Sequence, residues 1–260
     1  MSDLHLIIHL FSEKPVFSEE TLETIHLLLK EHLPTWSREL KVTPDEYDEE
    51  EGAFVGENSL FEIVQREIIQ KTAPAYQGSG DATLLGNDEG IVFFLESNTS
   101  TFLPMSNTIY IEIYNVNKIE ELSTFDWTRK FVKSLTSAIP IRYGNAHLSE
   151  DFERKNMVRD NGEVYAIGAR IDNAIPGIYW LNYFGKPYKS FFDKKCINSV
   201  PVFEVYEDSQ GLLIVLDETP LNWQNSDYKQ KEEEIISSLG KDYFFLRSAP
   251  ERVTIAPTFR

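Results

Sequence analysis

Cys196 is the residue whose type and neighbours come closest to catalytic chemistry in this chain. It follows Lys194 and Lys195 in a helix predicted from Tyr188 to about Ile197, and nearby lysines favour the nucleophilic thiolate form. No histidine lies near it in the sequence to act as a base, although folding could bring one close. A lone, partly buried cysteine more commonly has a structural role. Both interpretations of Cys196 stay open from the sequence.

Two histidines, His5 and His9, fall on one face of a predicted strand over residues 4–10. A pair spaced in this way could share a metal ion, but no third ligand completes the set in the neighbouring sequence. We therefore expect a plain position on the sheet face for both histidines, and we predict no metal site.

A glycine-rich stretch over residues 77–81 is similar to a nucleotide-binding loop only superficially, because no Gly-Lys-Ser/Thr follows and no strand immediately precedes it. The serine-hydrolase elbow, the His-Glu-x-x-His helix and the zinc-binding cysteine pair do not occur either. The carboxylates are too numerous to single out a catalytic pair. The sequence thus predicts no enzyme and no cofactor; the alternative is an enzyme of unrecognised type that uses a carboxylate cleft or Cys196.

The composition limits the class of protein and of partner. With 260 residues, 42% hydrophobic and 13% aromatic, the chain can bury a sizeable core. Its net charge of −17 disfavours nucleic acid and anionic membranes as partners, since both require a basic surface, and it favours steered association with a basic protein. One cysteine, no basic leader and no long apolar run predict a cytoplasmic protein without a membrane span.

The order of the predicted elements indicates an α+β fold with antiparallel sheets and helices. An N-terminal half, residues 1–145, shows a βαββαβ order with an acidic insertion at about 34–90. A C-terminal half, residues 146–260, repeats this order from residue 176 to 246, with a hairpin around Asp208-Ser209-Gln210-Gly211 and a last strand at 243–246. Two βαββαβ-like halves, possible products of duplication, form our hypothesis, and one continuous domain is the alternative.

The insertion contains the strongest charge run of the chain, over residues 44–52. Such runs repel themselves and commonly form solvated loops, whereas the functional alternative is a docking surface for lysine and arginine of a partner. Under that alternative, aromatic side chains beside the charges would contribute most to binding. The candidate partner-binding residues are Asp45, Glu46, Tyr47, Asp48, Glu49, Glu50, Glu51 and Phe54.

An aromatic segment over residues 177–188 is the centre of the predicted core of the second half, since its rings can bury several hundred Å². Together with the later 216–220 stretch, it is similar to the Gly-Val/Ile-x-Trp-Leu-Asn and Gly-x-x-Tyr pattern of the immunity protein 52 family of bacterial polymorphic toxin and type VI secretion systems. The residues that carry the resemblance are Gly177, Tyr179, Trp180, Leu181, Asn182, Gly185 and Tyr188.

The resemblance covers residues 165–225 and implies an immunity protein that binds and neutralises a cognate toxin of nuclease type. We expect the segment itself to be core, with the interface elsewhere. A nuclease needs a basic groove for phosphates, which a strongly acidic protein could cover. The toxin's identity, the mode of inhibition and the oligomeric state do not follow from the sequence.

Overall fold

The computed structural model describes residues 4–44, 52–70, 80–86, 90–97, 107–118, 125–189, 192 and 202–256. The chain divides into two compact units, Met1–Ile141 and Arg142–Arg260. Paired strands within each unit run antiparallel, and helices accompany them in both. The predicted α+β class is therefore confirmed.

The N-terminal unit contains a sheet with the spatial strand order β1-β6-β5-β4-β2-β3. Its strands are β1 (Leu6–Ser12), β2 (Lys41–Thr43), β3 (Ala53–Phe54), β4 (Gly80–Leu85), β5 (Ile91–Ser97) and β6 (Thr108–Ile113). Its helices are α1 (Glu19–His32), α2 (Leu60–Val64), which continues as a π-helical turn over Gln65–Ile69, and α3 (Asp126–Ala138).

One face of this sheet is buried beneath helices. In β5 the odd-numbered residues are buried and the even-numbered residues are partly exposed, as the two-residue period of a strand requires. Phe93 packs from the buried face against Trp36 and against Phe131 of α3, with ring centroids 5.0 and 5.9 Å apart. The opposite face is therefore the accessible one.

The C-terminal unit contains a sheet with the order β11-β12-β10-β7, and a separate hairpin of β8 and β9. Its strands are β7 (Ile141–Leu148), β8 (Met157–Asp160), β9 (Glu163–Ala166), β10 (Leu181–Gly185), β11 (Glu204–Glu207) and β12 (Gly211–Val215). Its helices are α4 (Ser149–Asn156), α5 (Lys186–Lys189) and α6 (Ser226–Leu239).

The predicted hairpin at 208–211 joins β11 and β12. Asp208 Oδ1 accepts hydrogen bonds from the Gln210 and Gly211 amides at 2.8 and 2.9 Å, which closes the turn. A Cβ at Gly211 would lie 2.5 Å from Tyr183 Oη, so only glycine allows this approach of the hairpin to β10. The turn is thus specified both locally and by the neighbouring strand.

Three local predictions are wrong. No strand was predicted in the insertion, yet β2, β3 and β4 lie in its described part and extend the sheet through buried Val42 and Leu84. Gly144-Asn145, a pair whose residue types predict a turn after a short strand at 141–143, is not a turn, because both residues pair with β10 inside β7. The last predicted strand, 243–246, is a short 3₁₀ turn followed by a single bridge between Phe244 and Ile175. The second half therefore lacks the final strand of a βαββαβ order.

The helix predicted from Tyr188 to about Ile197 begins earlier, as α5, and its remainder falls mostly on residues outside the described part of the chain. Both units nevertheless share one feature of strand order. The first strand of the predicted repeat pairs with the third, and the third pairs with the second on its other side: β1-β6-β5 in one unit and β10-β12-β11 in the other.

Candidate functional site

Most of the predicted partner-binding residues, Asp45 through Glu51, lie outside the described residues, as does Cys196. Phe54 is described, and it is 65% exposed on the edge strand β3. The described part of β2 ends at Thr43, which pairs with Thr83 of β4, two residues from Asp81.

The aromatic segment lies in the core of the C-terminal unit. Tyr179, Trp180, Leu181 and Asn182 are each at most 1% exposed. Trp180 Nε1 donates to the Asp217 carbonyl at 2.8 Å, and the Leu216 amide donates to the Trp180 carbonyl at 2.9 Å. These bonds join the segment to the stretch after β12.

The polar residues of the segment have structural partners. Asn182 Oδ1 accepts from the Tyr179 amide at 2.9 Å, while Asn182 Nδ2 donates to the Tyr179 carbonyl at 2.8 Å. Tyr188 Oη donates to the Ile171 carbonyl at 2.9 Å. Gly177 lies near Lys155, and Gly185 pairs with Gly211 across β10 and β12. The polar groups of the segment are therefore used for hydrogen bonds within the fold. Its buried residues are not accessible to a partner.

A buried ion cluster lies beside Tyr179 and joins α4 to α6. Asp151 and Glu232 are 1% and 7% exposed at the side chain, and Arg154 and Lys155 each contact both carboxylates. Lys155 Nζ also lies 4.5 Å from the Tyr179 ring centroid. Burial raises the pKa of Glu232, and Lys155 opposes that shift.

Two anions and two cations make this cluster electrically balanced, and its hydrogen bonds stay within the fold. That arrangement is typical of a structural ion-pair network, and it is less typical of a catalytic acid–base pair.

A second cluster of polar side chains is accessible, on the open face of the N-terminal sheet. A depression of about 690 Å³ lies over β1, β5 and β6. We call it the aromatic trough; the residues used below to describe it are His9, Phe94, Glu96, Thr108, Tyr110 and Glu112. Strand register places these side chains together: Phe94 lies opposite Tyr110, which lies opposite His9.

Aromatic rings form the floor of the trough and carboxylates mark its ends. The rings of His9 and Tyr110 meet edge to face at 5.2 Å. Glu96 pairs with Thr108 at one end, and Glu112 pairs with Val92 at the other, four residues along β5. At the usual rise of a strand, this separation is about 13 Å.

The two carboxylates differ in their surroundings. Glu112 accepts hydrogen bonds from the Tyr110 and Tyr114 hydroxyls, the first at 2.7 Å, and His5 Nε2 lies 3.8 Å away. Glu96 accepts a longer bond from Thr108 Oγ1, at 3.4 Å. Glu112 is thus held in place by donors, whereas Glu96 is only weakly held by the described residues.

Glu96 also faces a like charge, since Asp81 of β4 lies directly opposite it. Burial raises the pKa of Glu96, and Asp81 raises it further; burial also raises the pKa of Asp81. The strands β1, β4, β5 and β6 contain no lysine or arginine. Lys41 of β2 is the cationic residue in the line of paired residues that crosses the sheet from β2 through Val92 to Glu112.

Sequence analysis assigned no function to this face, but it placed two of its residues correctly. It placed His5 and His9 on one face of a strand, where both line the trough. It missed Glu96, Tyr110 and Glu112, although alternation in β5 and β6 put them on the partly exposed face. The sequence does not show the order in which the strands pair. In the structure β5 lies between β4 and β6, and β1 lies beside β6, which brings these side chains together.

The register also relates Phe54 to the trough. Phe54 pairs with Lys41, Lys41 with Leu85, Leu85 with Val92, and Val92 with Glu112. Residues paired directly across a sheet project from the same face. The exposed Phe54 side chain therefore shares a face with the trough.

Two kinds of feature were not found among the described residues: a cluster of metal ligands and a membrane-spanning helix. Within them, no three His, Cys, Asp or Glu side chains cluster so as to hold a metal ion. None of their helices combines the length and the apolar character needed to cross a membrane.

Comparisons with known proteins add a fold relationship. No protein-family model matches the sequence, and no curated protein matches it significantly. A solved structure of the Pseudomonas aeruginosa T6SS protein PA0821 has a similar fold, with a TM-score of 0.54 and 11% sequence identity. The match covers 89% of this chain and 73% of that one. At this identity the likeness establishes the shared fold alone.

Proposed function

We propose that this chain is an immunity protein of a type VI secretion system that binds and neutralises a cognate nuclease-type toxin. The observation that carries the proposal is the accessible sheet face of the N-terminal unit, where a carboxylate-bearing aromatic trough lies on strands without lysine or arginine. Aromatic side chains with polar tips are frequent anchors of protein interfaces. Under this proposal the protein acts by binding and not by catalysis.

The charge of the chain fits a nuclease as the partner. A toxin that cleaves DNA or RNA needs a basic groove to hold phosphates. A protein of net charge −17 is attracted to such a groove and can associate with it quickly. The acidic run from Asp45 to Glu51, with Tyr47 and Phe54, would extend the contact surface beyond the trough.

Two resemblances support the secretion-system context. The aromatic segment is similar to that of the immunity protein 52 family, and the fold is similar to that of a protein described as a T6SS protein. In this setting the chain works in the cytoplasm, where a nuclease would attack, and it requires no cofactor, nucleic acid or membrane as a partner.

Co-expression tests the proposal. The chain is produced together with the toxin encoded beside its gene, and cell survival and co-purification are scored. We expect survival and a stable complex, whereas an unrelated acidic protein of comparable net charge should give neither. A folded chain that neither protects cells nor co-purifies with the toxin would contradict the proposal.

The dose of the inhibitor separates binding from catalysis. If the chain acts by binding, nuclease activity in a purified mixture falls in proportion to the chain added and is lost near one equivalent. Full protection at a small fraction of an equivalent, with repeated turnover, would instead favour an enzyme that inactivates the toxin.

A further inference from the structure

The Glu96 end of the aromatic trough combines features that suit a cation. Glu96 and Asp81 face each other across β5 and β4; Glu96 is half-buried and Asp81 is exposed. Like charges that are directly opposite in a sheet repel each other and destabilise it. A cation placed between them would remove that repulsion and gain two counter-charges.

Next to these carboxylates lie flat apolar surfaces. Phe94 is two residues from Glu96 on the same face of β5, and Tyr110 lies opposite Phe94. Phe94 is partly exposed, so its ring contributes to the accessible floor. A cation bound here can contact a ring face and a carboxylate together.

We propose that the Glu96 end of the trough receives an arginine side chain of the toxin, whose guanidinium pairs with Glu96 and Asp81 and stacks on Phe94 and Tyr110. A guanidinium is planar and weakly hydrated, and it both stacks on aromatic rings and bonds carboxylates in a bidentate manner. A lysine ammonium is compact and strongly hydrated, so it uses the ring floor less well.

The location fits the proposed partner. A nuclease groove is rich in arginine and lysine, and the strands β1, β4, β5 and β6 around this end of the trough contain no lysine or arginine of their own. This inference rests on the proposed function and deepens it, because it names the chemical group of the toxin that the trough recognises.

A small-molecule probe tests the site without the toxin. The isotope-labelled chain is titrated with N-acetyl-arginine amide, with the uncharged isostere N-acetyl-citrulline amide, and with N-acetyl-lysine amide, and amide chemical shifts are recorded. We expect saturable, millimolar binding of the arginine compound, centred on Phe94 and Glu96, and at least about tenfold weaker binding of the other two. No saturable shift at this end, or equal binding of the arginine and citrulline compounds, would overturn the proposal, and equal binding of the lysine compound would overturn its guanidinium assignment.

Single substitutions then connect the site to the toxin. Glu96→Gln and Phe94→Leu should each weaken toxin binding by about tenfold or more, while Glu31→Gln, which removes an exposed carboxylate from α1, should leave it unchanged. If Glu96→Gln does not fold, the toxin affinity of Asp81→Asn and the probe titration of the natural chain still test the arginine site.

The two proposals can fail separately. If the natural chain does not protect cells, the immunity role fails whatever the probe shows. If the natural chain protects cells but toxin affinity is the same in folded Glu96→Gln and Phe94→Leu variants, the immunity role stands and the arginine site is wrong.

Discussion

At the scale of single residues, two lysines offer a matched comparison of buried and exposed ion pairs. Lys155 pairs with Asp151 four residues earlier and is 13% exposed, whereas Lys130 pairs with Asp126 at the same spacing and is 68% exposed. Lys155→Met would leave Asp151 and Glu232 with one cation instead of two. We expect it to lower the free energy of unfolding by about 3 kcal/mol, and Lys130→Met to lower it by less than about 0.5 kcal/mol.

Urea denaturation at pH 7 measures both values. Without Lys155, the raised pKa of Glu232 should rise further, so part of the lost stability should return as Glu232 becomes protonated at acidic pH. Equal, small losses for the two variants would show that the buried cluster does not hold α4 and α6 together.

The Asp81 and Glu96 pair predicts the opposite effect, a gain in stability. A carboxyl whose pKa is raised on folding binds its proton more tightly in the folded state, so its contribution to stability falls as pH rises through the raised pKa. Above both raised pKa values the repulsion is fully present. Asp81→Asn should therefore raise the free energy of unfolding by about 0.5 kcal/mol.

The gain should shrink as the pH is lowered toward 4, where protonation relieves the repulsion in the natural chain. Thermal unfolding of Asp81→Asn and of the control Glu31→Gln, at pH 7 and pH 4, measures this difference. A loss of stability at pH 7 would mean that the two carboxylates do not repel each other in the folded protein.

At the scale of elements, Glu23 of α1 fixes the start of α2. Its Oε1 accepts from the Phe61 amide at 3.0 Å and from the Ser59 hydroxyl, and Ser59 Oγ in turn accepts from the Glu62 amide at 3.3 Å. Burial acts to raise the pKa of Glu23, but these hydrogen bonds, together with the charges of His26 and Lys30, outweigh it, and the pKa is lowered overall. The carboxylate therefore stabilises the junction when it is ionised.

We expect Glu23→Gln to lower the free energy of unfolding at pH 7 by about 1 kcal/mol, because a charged acceptor is replaced by a neutral one. A lowered pKa contributes stability above the unfolded value of about 4.3, and that stability is lost as pH falls through the folded pKa. The deficit of Glu23→Gln relative to Glu31→Gln should thus diminish in acid. A deficit that is independent of pH would assign the effect to side-chain shape.

At the scale of the whole molecule, the net charge should control the rate of association. Replacing the six carboxylates of the acidic run by serine changes the net charge from −17 to −11 and should slow association with the toxin by about tenfold at low salt. The residues replaced are Asp45, Glu46, Asp48, Glu49, Glu50 and Glu51. The fold should persist, as thermal unfolding can verify.

A control with the same net charge separates the acidic run from the charge of the chain as a whole. It replaces six exposed carboxylates of the C-terminal unit by serine: Glu153, Asp160, Glu163, Asp227, Glu233 and Glu251. Slower association in the first variant alone would place the run near the interface. Equal slowing would assign the effect to net charge, and unchanged association in the first variant would exclude the run from the interface.

The sequence by itself determined the α+β class, the N-terminal cap of α1, the hairpin turn at 208–211, and the core character of the aromatic segment. Ser18 caps α1 by accepting a hydrogen bond from the Thr21 amide, and Asp208 closes its hairpin by accepting one from the Gly211 amide. Both can be predicted from the sequence because each bond joins residues only three positions apart. The periodicity that separates buried from exposed positions is equally local. These features depend on neighbours in the chain, which the sequence shows directly.

The tertiary structure alone decided which strands lie side by side. Gly144-Asn145 looks like a turn until β10 pairs with it, and the insertion looks like a loop until β4 pairs with β5. The trough has the same origin: Glu96 meets Asp81 across 15 residues of chain, and Tyr110 meets His9 across about 100. Contacts between distant residues depend on the packing of the whole core, so no local pattern could have specified the site.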